Sequence, residues 1–199
     1  MSDLSTILPP SGPDRSWTLF IDRDGVINQK RDNDYVKHWG EFIFIPGAIE
    51  ALAVLSQRFG KMIVVTNQRG IGRGLMSEED LSDIHSRMLD QLHDADVRID
   101  KIYHAPHLAE NDIRGWRKPK DGMARQAVLD FPEIDLAKSI VIGDSLTDMM
   151  FGRNAGMLTA WISDRKTVPP DDLVDLMLSG LSEFAAWLSQ YPMPDLSHE

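Results

Sequence analysis

Short apolar runs rich in β-branched residues alternate along this chain with longer stretches whose apolar residues recur every three or four positions, and few architectures satisfy that alternation. Trp17–Ile21, Met62–Thr66, Ile99–His104, Ser139–Gly143 and Leu158–Ile162 read as strands. Between the first two, Pro46 opens a helix that sets Ile49, Leu52, Leu55 and Phe59 on one face and stops at Gly60. A Ser-Glu-Glu-Asp start signal at Ser77 precedes Leu81, Ile84, Met88 and Leu92 at helical spacing. Further helices are predicted from about Asp121 to Leu129, in a short stretch after Asp144, and over Asp171–Ser189. The pattern predicts an α/β, Rossmann-like fold with a mainly parallel sheet and helices on both faces.

The 199 residues suit one domain, expected over 17–199, after a loose N-terminal arm over 1–16 that carries Pro9, Pro10, Gly12 and Pro13. No long uncharged apolar run is present and the arm lacks the apolar centre of a secretory signal, so a cytoplasmic protein with no membrane span is expected, and a monomer. The chain has no cysteine, which removes disulfides and thiolate metal sites. A formal charge of −10 opposes nucleic-acid binding, which depends on Lys and Arg displacing counterions. A small anionic ligand remains open, since a few positive groups create a local site in an acidic protein.

In α/β folds ligands bind beyond the carboxyl ends of the strands. The residues that follow the apolar runs are therefore the informative ones: Asp22-Arg23-Asp24-Gly25, Thr66-Asn67-Gln68, and Gly143-Asp144 with Asp148. Two carboxylates at i, i+2 after a buried strand repel each other unless a cation stands between them. Mg2+, with its preference for hard oxygens, suits the carboxylates of Asp22 and Asp144 and the backbone carbonyl of Asp24. Phosphate monoesters suit such a site, because their hydrolysis requires acceleration by up to ~10²¹-fold and a carboxylate nucleophile divides the step in two. Asp22 is the candidate nucleophile, and Asp24 the candidate acid and base. Gly25 permits the sharp turn between strand and loop. Thr66, the Asn67 backbone, Lys118 of Arg117-Lys118-Pro119, and Arg73 within Gly70–Gly74 are candidate phosphate donors. Asp148 is expected to play a supporting role, hydrogen-bonding Lys118 or a metal-bound water, rather than only to cap the short helix, and His104 and His107 to serve surface or packing roles, since two histidines do not close a zinc site.

Asp22-Arg23-Asp24-Gly25-Val26, Thr66-Asn67, Lys118-Pro119 and Gly143-Asp144 with Asp148 resemble, in order, the four motifs of haloacid dehalogenase-type phosphatases. Tyr35-Val36, Gln68, Arg73-Gly74 and Arg117-Lys118-Pro119-Lys120 narrow the resemblance to the heptose bisphosphate and histidinol phosphatase group, over about Trp17 to Leu188. The resemblance implies an aspartyl-phosphate mechanism, Mg2+, a capless fold with small flap loops, a small phosphorylated sugar as substrate, and substrate contacts from Arg73 and Arg117. It also points to differences. The positions of that group's zinc ligands are Ala105, His107, Arg114 and Trp116, so no zinc is expected; Ser145 replaces a lysine, and Arg69 a small residue. A histidinol-phosphate or other small-metabolite phosphatase, and a catalytically silent metabolite sensor, are the alternatives, and the intact Asp22 and Asp24 disfavour the sensor.

Overall fold

The structure is a computed structural model, and it describes residues 8–163 and 170–191. Among these residues six strands form one parallel sheet: β1 (Thr18–Ile21), β2 (Lys61–Asn67), β3 (Lys101–Ala105), β4 (Ser139–Gly143), β5 (Leu158–Ile162) and β6 (Leu176–Leu178). Their spatial order is β3-β2-β1-β4-β5-β6. Among the described residues six α-helices accompany them: α1 (Ala48–Arg58), α2 (Arg69–Gly72), α3 (Glu78–His93), α4 (Gly122–Asp130), α5 (Leu146–Ala155) and α6 (Leu181–Leu188).

Because successive side chains of a strand point to opposite faces, a parallel sheet covered on both sides needs unbroken apolar strands. Leu19 and Ile21 of β1, Met62 and Val64 of β2, and Ile140 and Ile142 of β4 enter one core, with α1, α3 and α6. Phe20, Ile63, Val65 and Val141 enter the other, against Met123 and Ala127 of α4 and Phe151 of α5. Full burial of each large apolar side chain is worth about 1.5–3 kcal/mol, so this two-sided alternation fixes the register of the central strands. The start signal at Ser77 is a capping box: Asp80 N–H donates to Ser77 Oγ at 3.0 Å and Ser77 N–H to Asp80 Oδ2 at 2.8 Å.

The C-terminal expectation is corrected. Asp171–Ser189 is no single helix but a 3₁₀ turn (Asp171–Leu173), strand β6 and α6. Leu176 and Leu178 are buried while Met177 is half exposed, a period-2 pattern realised by pairing with β5. The glycine-rich Gly70–Gly74 stretch overlaps the one-turn helix α2, which begins at Arg69. Of the expected N-terminal arm, residues 1–7 lie outside the described residues, whereas Leu8 is buried in the first core. Two segments lie over the strand ends: residues 22–47, in which Gln29 N–H bonds to Ile43 O at 2.8 Å, and residues 106–121, which join β3 to α4. Among the described residues no helix is long and apolar enough to cross a membrane.

Candidate active site

The sheet order reverses between β1 and β4, and a crevice opens at such a point beyond the strand ends. Asp22 follows β1, Thr66 and Asn67 close β2, and Gly143 closes β4 ahead of Asp144, so these motifs converge at one edge. Asp22 is 8% exposed. Its Oδ1 accepts the Arg23 backbone N–H at 2.7 Å and pairs with Lys118 Nζ at 2.9 Å, leaving Oδ2 without a partner among the described residues.

Lys118 is buried, and its ammonium also donates to Val65 O at 2.8 Å and pairs with Asp148. Those three contacts use all three of its protons. Lys118 therefore orients Asp22 and Asp148 although it borders the cavity. Its backbone is held by Asn67, whose Oδ1 accepts Lys118 N–H at 3.0 Å and whose Nδ2 donates to Lys118 O at 3.1 Å. Asp148 also accepts Ser145 N–H at 3.1 Å at the start of α5.

Asp24 has a different environment. Arg23, fully buried, donates from Nη2 to both Asp24 oxygens at 3.0 Å, while Asn28 Nδ2 and Gln68 Nε2 each donate at 2.9 Å. Arg23 Nη1 meets His85 Nε2 at 3.1 Å, and since a guanidinium only donates, that nitrogen is the acceptor and the proton sits on Nδ1. Gln68 also donates to Thr66 Oγ1 at 2.8 Å, so the Thr66 hydroxyl proton is free for a ligand.

The two carboxyls next to β1 are pushed apart in acidity. Burial first, then the charge of Asp148, raises Asp22 above the usual carboxylate range against the pull of Lys118. Burial also acts to raise Asp24, but Arg23, Asn28 and Gln68 outweigh it and hold that group low. Burial raises Asp144 as well, opposed by Lys30, whose ammonium reaches both Asp144 oxygens at 2.8 and 3.0 Å. One oxygen each of Asp22, Asp144 and Asp148 lie within 4.8 Å of one another. Three mutually repelling hard-oxygen donors fit a divalent cation such as Mg2+. Asp148 is fully buried and held by the buried Lys118 and by Ser145, whereas the Lys30 that pairs with Asp144 is half exposed and free to swing aside, so Asp22 and Asp144 are the better placed ligands.

Glycines make this crowding possible. Gly25 has φ +92°, and a Cβ there would lie 2.2 Å from Asp144 Oδ2. At Gly143 a Cβ would lie 2.2 Å from Asp148 Cβ.

Asp22, Asp24, Thr66 and Lys118 line a cavity of about 570 Å³ together with Arg69, Arg73, Arg117 and Tyr35. Arg73 lies over the Tyr35 ring at 5.9 Å. Among the described residues none of the three guanidiniums has a carboxylate partner, and Arg117 Nη1 is buried without a hydrogen bond. Burial first and Arg69 second lower the Arg117 pKa. Ala105, His107, Arg114 and Trp116 line a separate cavity of about 280 Å³ and offer one imidazole between them. His104, at its edge, bonds Glu78 Oε2 at 2.9 Å.

Sequence reasoning assigned no role to Lys30, Asn28, His85, or the Arg23 and Gln68 side chains. His85 carried one weak signal, a histidine among the apolar residues of α3.

The HAD-hydrolase-like family profile matches residues 115–175. D-glycero-alpha-D-manno-heptose-1,7-bisphosphate 7-phosphatase of Mycobacterium tuberculosis is 41% identical over 138 residues, covering 69% of this chain and 72% of that one. The corresponding beta-anomer enzyme of Escherichia coli K12 is 33% identical over 185 residues, covering 88% and 95%. D,D-heptose 1,7-bisphosphate phosphatase from B. bronchiseptica, solved with magnesium and phosphate, superimposes with a TM-score of 0.77 at 31% identity, covering 87% of this chain and 98% of that one. Relatives sharing a third or more of their residues with this chain over most of their own length decide its family: it belongs to the haloacid dehalogenase-like phosphatases and is a phosphoric monoester hydrolase.

Proposed function

We propose that the protein is a Mg2+-dependent phosphatase of a bisphosphorylated sugar of the heptose 1,7-bisphosphate type, acting through a phospho-aspartate at Asp22. One observation carries the reading. The cavity that holds Asp22 and Asp24 is also lined by Arg69, Arg73 and Arg117, three guanidiniums without carboxylate partners among the described residues, in a chain of charge −10. Unpaired cations clustered on one cavity suit a substrate with a second anionic group. Relatives acting on both anomers of the heptose support the substrate class and leave the anomer open.

Asp22 attacks phosphorus, forming an Oδ–P bond as the P–O bond to the sugar breaks. Asp24 in its protonated form gives the departing oxygen its proton, and as the carboxylate so formed removes one from water, whose attack on the phosphoryl group releases phosphate and restores Asp22. The four donor contacts on Asp24 fix its direction and favour its base form, which suits the second half. Thr66 donates to a phosphoryl oxygen, and Lys118 holds Asp22 in line. Asp22, Asp144 and the Asp24 carbonyl would hold Mg2+, which when bound would offset the repulsion among the carboxylates, keep Asp22 ionised and neutralise charge on the phosphoryl oxygens.

The test is phosphate release from heptose 1,7-bisphosphate (both anomers), fructose 1,6-bisphosphate and histidinol phosphate, with and without Mg2+. Turnover on a sugar bisphosphate that requires Mg2+ and is lost in Asp22→Asn is expected. No Mg2+-dependent release from any of them, or wild-type turnover in Asp22→Asn, overturns the reading.

A further inference from the structure

We propose that Asp112 is a positioning residue, whose carboxylate sets the segment carrying Arg117 and thereby the affinity for the substrate's second anionic group. Its side chain is 2% exposed. A carboxylate so buried is costly unless hydrogen-bonded and paired, and the partners of Asp112 are all in the loop that follows it. Oδ1 accepts Trp116 N–H at 2.9 Å, Oδ2 accepts Arg117 N–H at 3.2 Å, and Lys120 Nζ pairs with Oδ2 at 3.2 Å. Gly115 N–H closes onto Asp112 O at 3.3 Å, with Gly115 at φ +65°. The Trp116 ring meets Tyr103 of β3 edge-on at 5.9 Å, which anchors the loop to the sheet.

Three consecutive amides are thus fixed by two side chains: Trp116 and Arg117 by Asp112, and Lys118 by Asn67. The division has a functional consequence. Without Asp112, Lys118 keeps Asn67, Val65, Asp22 and Asp148, so the reacting groups stay in place. Among the described residues the Arg117 guanidinium makes no hydrogen bond of its own, so its position follows its backbone, whose N–H is held by Asp112 and whose carbonyl accepts the N–H of Lys120 at 3.0 Å, a residue itself paired with Asp112. Loss of the carboxylate therefore weakens substrate capture far more than the chemical step.

This inference rests on Arg117 contacting the substrate, so the experiment separates the two ideas. Steady-state kcat and KM are measured for Asp112→Ala, Asp112→Asn, Arg117→Ala and the Asp112→Ala/Arg117→Ala pair, on whichever sugar bisphosphate the wild type turns over fastest. Asp112→Ala is expected to raise KM about tenfold with kcat changed less than about threefold, as for loss of ground-state binding. Asp112→Asn, which keeps an acceptor for one amide, recovers part of that loss. The pair should be no worse than Arg117→Ala alone. If Arg117→Ala raises KM while folded Asp112→Ala or Asp112→Asn leaves it at the wild-type value, the positioning role is wrong. A fall in kcat with KM unchanged also overturns it, as does additivity in the pair. If Arg117→Ala itself leaves KM unchanged, the Arg117 reading fails instead. Should Asp112→Ala not fold, Asp112→Asn with and without Arg117→Ala decides the same question.

Discussion

The buried ion cluster behind the candidate nucleophile can be dissected by a double-mutant cycle on Lys118 and Asp148. The Lys118 and Asp148 side chains are 2% and 0% exposed, and Lys118 also holds Asp22 at 2.9 Å. Lys118→Met keeps the volume but leaves two buried carboxylates without their cation. Breaking a buried pair by removing one partner costs about 3–5 kcal/mol, and with two acids affected the upper part of that range is expected. Asp148→Asn keeps the shape and an acceptor for Ser145, and it leaves Lys118 its contacts to Asp22 and Val65 O, so about 1–3 kcal/mol is expected. The double variant has one stranded acid in place of two. It should therefore be more stable than the sum of the single losses predicts, by roughly 2 kcal/mol of coupling. Urea unfolding followed by tryptophan fluorescence measures each corner, with chelator present so that cation binding does not contribute. Additivity to within about 0.5 kcal/mol would refute the reasoning, since it would mean that the two charges do not share a desolvated pair.

Gly25→Ala should lower turnover by at least about tenfold, because the new methyl group both meets Asp144 and disfavours the left-handed backbone, displacing a carboxylate by ångströms; steady-state kinetics beside a thermal melt checks this. His85 should make stability pH-dependent. Burial first, then the charge of Arg23 and of His104, lowers its pKa from 6.5 to about 3, with Asp24 opposing. The unfolded chain then binds the proton first, so this contribution is complete above pH 6.5 and is lost as pH falls toward 3, at about 1.4 kcal/mol per unit. Urea unfolding at pH 7 and 5 should show a smaller loss for His85→Gln than for wild type, and equal losses would contradict the assignment. Metal analysis of protein purified without chelator should find no stoichiometric zinc, and one zinc per chain would show that the residue 106–121 loop binds metal in a way Ala105, His107, Arg114 and Trp116 do not suggest.

The local periodicities of the chain determined most of the sheet. β1, β2, β4 and β5 follow from short apolar runs buried on both faces, and the polar residues placed after them, Asp22, Thr66 and Asp144, stand at the same sheet edge. Strand β6 was illegible because three residues, Leu176 to Leu178, carry too little pattern of their own, and pairing with β5 decides their conformation. The contacts that give the site its chemistry belong to tertiary structure alone. Lys30 reaches Asp144 across 114 residues, Arg23 meets His85 across 62, and Lys118 meets Val65 across 53. Sequence periodicity reports which face of an element turns inward, since burial is a property of single residues. Which charge lies beside which, and so which carboxyl is raised and which lowered, depends on separations of a few ångströms between distant segments, and only the folded chain sets those.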